Sequence, residues 1–169
     1  MSLAKMNNES EILEIITVFS NKLSKFPDGR INYSNSNKAP VLNILVKHED
    51  KILLLKRSDK VRAYQGLWNC VGGYLDEIRP IKEKVLEELT EELKITEPMI
   101  KDIKFGEHYE FDDKTIQKTW IIQPVLVELK AKPKITLDWE HTDFKWIEKD
   151  DLKEFNHVPG LDLTFNLNF

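Results

Sequence analysis

Three glutamates in the middle of the chain, Glu88, Glu91 and Glu92, are the residues best suited to chemistry. Apolar residues recur at helical spacing over residues 81–93, and in a helix positions i, i+3 and i+4 share one stripe. Like charges at this spacing cost an isolated helix roughly 0.2–0.5 kcal/mol per pair, and only Lys84 offers local relief. A hard divalent cation such as Mg²⁺ would neutralise them, because it takes carboxylate oxygens and is shared with substrate phosphates. Taken alone, a run of glutamates is more often a solvated helix face.

A glycine pair upstream gives these glutamates a context. Gly72 and Gly73 form a predicted turn, and Glu91 and Glu92 follow Gly73 by eighteen and nineteen positions. At this spacing the sequence resembles the Nudix hydrolase family, whose signature reads glycine, five residues, glutamate, seven residues, then Arg-Glu-apolar-any-Glu-Glu-any-Gly-apolar. Placed on this chain without a gap, the signature matches at Gly73, Glu88, Leu89, Glu91, Glu92 and Ile95.

The signature is altered at three positions. Arg79 stands where the family has glutamate and Glu87 where it has arginine, so we expect a charge-reversed brace between the loop and the helix; the alternative is that Arg79 is a surface residue. Lys94 replaces a glycine that usually ends the helix with positive φ. We therefore expect the helix either to end by a different route or to continue toward Thr96.

The resemblance covers about residues 40–156 and implies a fold and an activity. It implies an α/β fold, the Nudix α/β/α sandwich around a mixed β-sheet. The implied reaction is metal-dependent hydrolysis of a diphosphate linkage in a nucleoside diphosphate derivative or a nucleoside triphosphate. The alternative is a catalytically impaired Nudix-like module that binds a nucleotide or a protein.

The resemblance also implies roles for individual residues. The ligands of Mg²⁺ or Mn²⁺ would be Glu88, Glu91 and Glu92, with a backbone carbonyl at Gly72 or Gly73 as a further oxygen.

The general base is left open between two carboxylates. By analogy with family members a glutamate of the signature could serve, which is Glu88 here. The other candidate is Glu140, which lies on a loop after the signature and could reach the same site. Glu107 and His108 are weaker alternatives.

Basic and aromatic residues near the signature could hold the substrate. Lys56 and Arg57 close a predicted strand, and either could bind phosphate, although lone basic residues at a strand end are often solvated. Four aromatic residues could stack on a base or ring, although a core position is the commoner role: Trp68, Tyr74, Tyr109 and Trp120.

Periodicity predicts the elements that position these residues. We expect an amphipathic helix over residues 9–26, within a helical arm over residues 1–38 that precedes the Nudix-like domain at 39–169. Pro124 in the longest apolar run predicts a sheet edge or a bulge there. The predicted strands are 41–47 and 51–57, paired as a hairpin, then 103–111, 119–129 and 143–147, followed by a short helix at 149–155.

Composition excludes several classes of protein. The chain has 169 residues, 41% of them hydrophobic, and a formal charge of -4 without a basic stretch, which disfavours nucleic-acid binding. A single cysteine, Cys70, cannot form an internal disulfide, and no apolar run is long enough for a signal core or a membrane span. We therefore expect a cytoplasmic protein that binds a small nucleotide or another diphosphate substrate and no membrane, with a homodimer as an open alternative to a monomer.

Overall fold

A computed structural model of the chain describes residues 3–169, with side chains from residue 8 onward. Within residues 3–169, three helices and eight strands follow one another in a mixed order, which confirms the predicted α/β class. The helices are α1 (Leu3–Lys22), α2 (Ile81–Leu93) and α3 (Leu161–Phe165), with short 3₁₀ helices at Glu97–Met99 and Lys149–Glu154. The strands are β1 (Lys38–His48), β2 (Lys51–Arg57), β3 (Trp68–Asn69), β4 (Val71–Tyr74), β5 (Ile100–Phe105), β6 (Tyr109–Asp113), β7 (Lys118–Leu129) and β8 (His141–Ile147).

Strands β1 and β7 form the centre of a mixed sheet. They run parallel along ten paired positions, from Lys38 opposite Thr119 to Lys47 opposite Glu128. The other edge of β1 pairs antiparallel with β4 and then, at the predicted hairpin, with β2. Strand β2 continues the sheet to β3 and β8, while β5 and β6 share the far edge of β7.

Both faces of the sheet are covered, as the successive apolar residues of β1 and β2 predict. Leu53 and Leu55 of β2 belong to the larger core cluster, under α1 and α2, whereas Leu54 belongs to a second cluster under α3. Ile12 and Ile16 of α1 are fully buried in the larger cluster, so the N-terminal helix is packed against the sheet. In the part of the chain that the structure describes, no helix has the length and apolarity to cross a bilayer.

Two predicted elements depart most from their predicted bounds. Helix α1 ends at Lys22 rather than at Phe26, because the chain turns back there and Lys25 pairs with Ile31. The apolar run predicted as one strand over 103–111 is two strands, β5 and β6, separated by Gly106, Glu107 and His108.

Pro124 lies in the middle of the sheet, so of the two predicted alternatives, a sheet edge or a bulge, the sheet edge is wrong. On the far side of β7, the pairing with β6 reaches as far as Ile122, which lies opposite Tyr109, the first residue of β6. The pairing with β5 starts again at Val125, which lies opposite Phe105, the last residue of β5. The proline therefore faces the break between two strands, where its missing N–H leaves no ladder bond unmade. Its carbonyl accepts a hydrogen bond of 3.0 Å from the N–H of Gly106.

Candidate active site

Helix α2 carries the three glutamates and has the predicted bounds, Ile81–Leu93. Val85, Leu89 and Leu93 are fully buried in the larger core cluster, which fixes the rotation of the helix about its axis. The first N–H of the helix, that of Ile81, donates 3.1 Å to Oε1 of Glu9 on α1. Sequence reasoning missed this cap, because no local pattern connects residues so far apart in the chain.

Glu92 is the most buried of the three carboxylates, with 3% of the residue exposed. Burial raises its pKa well above the ordinary value, and the nearby charges of Glu88, Glu140 and Asp138 raise it further. Among the described residues its Oε2 atom has no hydrogen-bond partner. A buried carboxylate oxygen without a partner is costly, so this position fits a bound cation or a proton.

Glu88 packs directly against the backbone of β4. A Cβ atom at Gly73 would lie 2.6 Å from Cδ of Glu88, and one at Gly72 would lie 2.5 Å from the carbonyl oxygen of Leu42. Gly72 therefore requires glycine, because the clash is with backbone, whereas a side chain at Gly73 would displace the Glu88 carboxylate from the strand. Glu91, one turn along, is exposed and lines the same cleft.

Lys84 is buried in this cluster and connects it to the N-terminal segment. Its Nζ lies 3.0 Å from Oε1 of Glu88 and 3.9 Å from Oδ1 of Asp76. Asp76 in turn lies 3.7 Å from Nη1 of Arg30. Burial raises the pKa of Glu88, and Lys84 partly offsets that rise. Over the residues with described side chains, no three Asp, Glu, His or Cys groups converge in a ready-made metal cage, and Lys84 already engages a Glu88 oxygen.

Glu140 reaches the same cleft from the turn before β8. Its backbone is held by two hydrogen bonds: its carbonyl accepts 2.7 Å from Ser58 N–H, and its N–H donates 3.1 Å to Oδ1 of Asp138. Burial and the charge of Asp138 raise the pKa of the Glu140 carboxyl.

The side chain of His141 contacts Asp138 within this turn and also lies near Glu92. Nδ1 of His141 lies 3.1 Å from Oδ1 of Asp138, and Nε2 lies 3.8 Å from Oε2 of Glu92. Burial lowers the pKa of His141. Asp138 was missed in the sequence, since one carboxylate in a polar loop carries no pattern.

Of the two basic residues at the end of β2, the structure brings only Arg57 into the cleft. Its Nε donates 3.0 Å to the carbonyl of Ala63. Burial lowers the pKa of its guanidinium, and Glu140 and Glu92 oppose that shift. Lys56 is outside the cleft because neighbouring residues of a strand point to opposite faces.

The carboxylates, Arg57 and several aromatic residues line one open cleft of about 1110 Å³. A family model of the NUDIX domain matches residues 37–165. The chain belongs to the Nudix family. It is a pyrophosphohydrolase of the Nudix type.

A curated relative and two solved structures are similar to this chain, and the solved structures share its fold. The nucleoside triphosphatase NudI of Escherichia fergusonii is 25% identical over 117 residues, which cover 66% of this chain and 83% of that protein. The MutT protein of Methanosarcina mazei Go1 superposes with a TM-score of 0.60 at 23% identity, over 76% of this chain and 90% of that one. The NUDIX domain of Shewanella oneidensis NrtR, solved with ADP ribose, superposes with a TM-score of 0.62 at 16% identity, over 84% and 90% of the two chains.

Two departures from the Nudix signature now have a structural description. Arg79 and Glu87 are in direct contact, and Nη2 of Arg79 also lies 3.7 Å from Oε1 of Glu77. The reversed charges therefore still join the loop to α2.

Lys94 follows the last residue of α2, which we call the Nudix helix, and has the left-handed backbone conformation that glycine normally adopts there. Its φ and ψ are 59° and 26°, in the left-handed region, so both predicted alternatives, a different route and a continuation toward Thr96, are wrong. The carbonyls of Thr90 and Leu89 accept hydrogen bonds of 3.1 Å from Lys94 and Ile95. These two bonds satisfy the end of the helix, and this outweighs the strain at a residue with a Cβ.

The other predicted site residues are divided between the cleft and the core. Tyr74 and Trp120 line the cleft, whereas Trp68 packs in the second core cluster. Tyr109 forms a short hydrogen bond with Thr164, and neither Glu107 nor His108 lines the cleft.

Proposed function

We propose that this Nudix enzyme hydrolyses a phosphoric anhydride bond in a nucleoside triphosphate or a nucleoside diphosphate derivative, with Mg²⁺ or Mn²⁺ as cofactor. The observation that carries the proposal is the buried Oε2 of Glu92, which has no hydrogen-bond partner among the residues whose side chains are described, beside a second buried carboxylate on the same helix face. The name of the NudI relatives, nucleoside triphosphatase, supports the triphosphate among these substrates.

The residues that would hold the cation are Glu88, Glu91, Glu92 and the backbone carbonyl of Gly73. All are hard oxygen donors on two facing elements, α2 and β4, which is the donor type that Mg²⁺ and Mn²⁺ prefer. When bound, such a cation supplies positive charge to the substrate phosphates and lowers the pKa of a water molecule.

Glu140 is our candidate for the general base. Its backbone is fixed at both ends, it lines the cleft, and its raised pKa brings it closer to the pH at which a base works best. Glu88, the other candidate, already has an oxygen 3.0 Å from the ammonium of Lys84. In the proposed reaction the oxygen of water attacks phosphorus, its proton passes to the Glu140 carboxylate, and the anhydride P–O bond breaks with its electron pair on the leaving phosphate.

Arg57 would bind the substrate phosphates. Its Nε is used by the carbonyl of Ala63, so the guanidinium is held in place and its two terminal amino groups remain to donate to phosphate oxygens. Lys56 was an equal candidate in the sequence, and its position outside the cleft favours Arg57.

The test is a product assay over nucleoside triphosphates and nucleoside diphosphate derivatives with Mg²⁺ or Mn²⁺. We expect turnover that EDTA abolishes, and losses of roughly 100-fold or more in Glu91→Gln and Glu92→Gln, because each removes a charge that holds the cation. Glu83→Gln, an exposed site on the same helix, is the matched control and should keep full activity. Full activity in both ligand variants would refute the metal site, and binding without turnover on the whole panel would favour the impaired binding module.

A further inference from the structure

Three aromatic residues that line the cleft contact one another in a row. We call Tyr33, Tyr74 and Trp120 the aromatic wall. Tyr33 and Tyr74 are stacked with their ring centroids 5.6 Å apart and their planes 13° apart, and the Trp120 ring lies 6.0 Å from Tyr74. Phe19 of α1 packs edge-on against Tyr33 at 5.6 Å.

Hydrogen bonds hold two of the three rings in place. The hydroxyl of Tyr33 donates 2.8 Å to the carbonyl of Leu75, and the indole N–H of Trp120 donates 3.0 Å to the hydroxyl of Tyr64. Lys118 lies over the Trp120 ring at 5.3 Å and is itself held by the carbonyl of Ser36. The polar atoms of Tyr33 and Trp120 are thus already used, so what these two residues offer a ligand is aromatic surface.

Tyr74 is the open part of this surface. Tyr33 covers one of its faces, yet 43% of Tyr74 remains exposed. A large aromatic residue that is held rigidly and left open to a cleft is well suited to stack on a flat ring.

The wall is connected to the phosphate end of the cleft. Tyr74 directly follows Gly73, the residue against which Glu88 packs. Arg57, Tyr74 and Trp120 all line the same cleft. A molecule with its phosphates at Arg57 can therefore extend a ring toward Tyr74 and Trp120.

We propose that the aromatic wall binds the nucleobase of the substrate. Tyr74 and Trp120 touch the base, and Tyr33 is a positioning residue that sets the plane of Tyr74. Tyr33 precedes the matched NUDIX domain, which begins at residue 37. The N-terminal segment outside the family model thereby contributes to base recognition. This inference rests on the proposed function, because it takes the phosphates to lie at Arg57.

The experiment compares ligands with and without a base. Dissociation constants of ATP, GTP, CTP and UTP, and of inorganic tripolyphosphate, are measured by calorimetry in EDTA for the wild type, Tyr74→Leu and Tyr33→Phe. Tyr74 is exposed, so its replacement leaves the core intact, and Phe144→Leu replaces an exposed aromatic residue outside the cleft as the control. A second series measures KM for the nucleotides and the inhibition constant of tripolyphosphate.

We expect Tyr74→Leu to weaken the best-bound nucleotide by roughly 5- to 100-fold, the range for loss of one base–aromatic stack, and tripolyphosphate by less than about twofold. Tyr33→Phe should lower the same nucleotide-to-tripolyphosphate ratio by a smaller factor, which general destabilisation would not do. Equal changes for both ligands, or no change for either, would overturn the inference. If the wild type hydrolyses no nucleotide, the proposed function fails, while the binding ratio in EDTA still decides whether the wall recognises a base.

Discussion

The ammonium of Lys84 lies 3.0 Å from Oε1 of Glu88, inside the carboxylate cluster of the Nudix helix. Both residues are 8% exposed, so solvent screens this pair weakly. A positive charge of the chain itself therefore occupies a carboxylate that the proposed cation also needs. Asp76, whose Oδ1 has no hydrogen-bond partner among the described residues, lies 3.9 Å from the same ammonium and can receive it.

Removing this internal charge should strengthen cation binding. We expect Lys84→Met to bind Mn²⁺ roughly tenfold more tightly, equivalent to about 1.4 kcal/mol, because Mn²⁺ no longer competes with the lysine ammonium for the Glu88 carboxylate. Electron paramagnetic resonance titration of free Mn²⁺ measures this directly. Lys82→Met, on the same helix but exposed and paired with Glu97, should bind as the wild type does. Weaker Mn²⁺ binding in Lys84→Met alone would show that Lys84 supports the site instead.

The contact between Arg79 and Glu87 should be restored by reversing both charges. Arg79→Glu places a third acidic group beside Glu77 and Glu87, so we expect a loss of about 1–2 kcal/mol in the free energy of unfolding. Adding Glu87→Arg should recover at least about 0.5 kcal/mol of it. Urea unfolding of the two single variants and the double variant gives the coupling energy, and strict additivity would remove the brace.

Replacing Lys94 with glycine, the residue of the Nudix signature at this position, should stabilise the C-terminal end of α2. Lys94 holds a left-handed conformation that is costly for any residue with a Cβ, so Lys94→Gly should raise the free energy of unfolding by about 1 kcal/mol. Lys94→Ala keeps the Cβ and is the matched control. Thermal unfolding of both separates backbone strain from loss of the lysine charge: an equal gain in the two variants would contradict the strain.

Glu92 should make the metal-free enzyme less stable as pH rises. Its folded pKa lies above the unfolded value, so between the two the folded chain binds more protons, and the free energy of unfolding falls with increasing pH. Glu92→Gln should remove this contribution and stabilise the protein at neutral pH by about 1 kcal/mol or more. Urea unfolding in EDTA from pH 5 to pH 8 tests it.

The groups facing Glu92, namely Glu88, Asp138, Glu140 and His141, are present in both proteins, so the difference between their pH profiles reports Glu92 together with its electrostatic effect on these neighbours. Glu83→Gln, on the solvent side of the same helix, should leave the profile of the wild type unchanged. Parallel profiles for the wild type and Glu92→Gln would mean that the Glu92 carboxyl does not carry this dependence.

The sequence pattern predicted the structure correctly where the residues concerned lie within or next to a single element. Helix α2 has its predicted bounds because its apolar spacing, the proline before it and the core contacts of Leu89 all agree. The contact of Arg79 with Glu87 could be predicted because two reciprocal departures fall within one signature.

Sequence reasoning failed where distant segments meet. The cap from Glu9 to Ile81 and the stacking of Tyr33 on Tyr74 join the N-terminal segment to the domain, and neither pair has a spacing that a pattern can show. Pro124 was misplaced because the break that accommodates it lies in the neighbouring strands, not in β7 itself.

The parallel pairing of β1 with β7 also sets an order in time for the growing chain. Lys38 can pair with Thr119 only after the intervening residues have been synthesised, and these include the whole of α2. At a synthesis rate of about 5–20 residues per second, β1 emerges roughly 4–16 s before its partner. During that interval the apolar β1–β2 hairpin has an open edge, so this protein is most exposed to aggregation and to chaperone capture before its catalytic cleft exists.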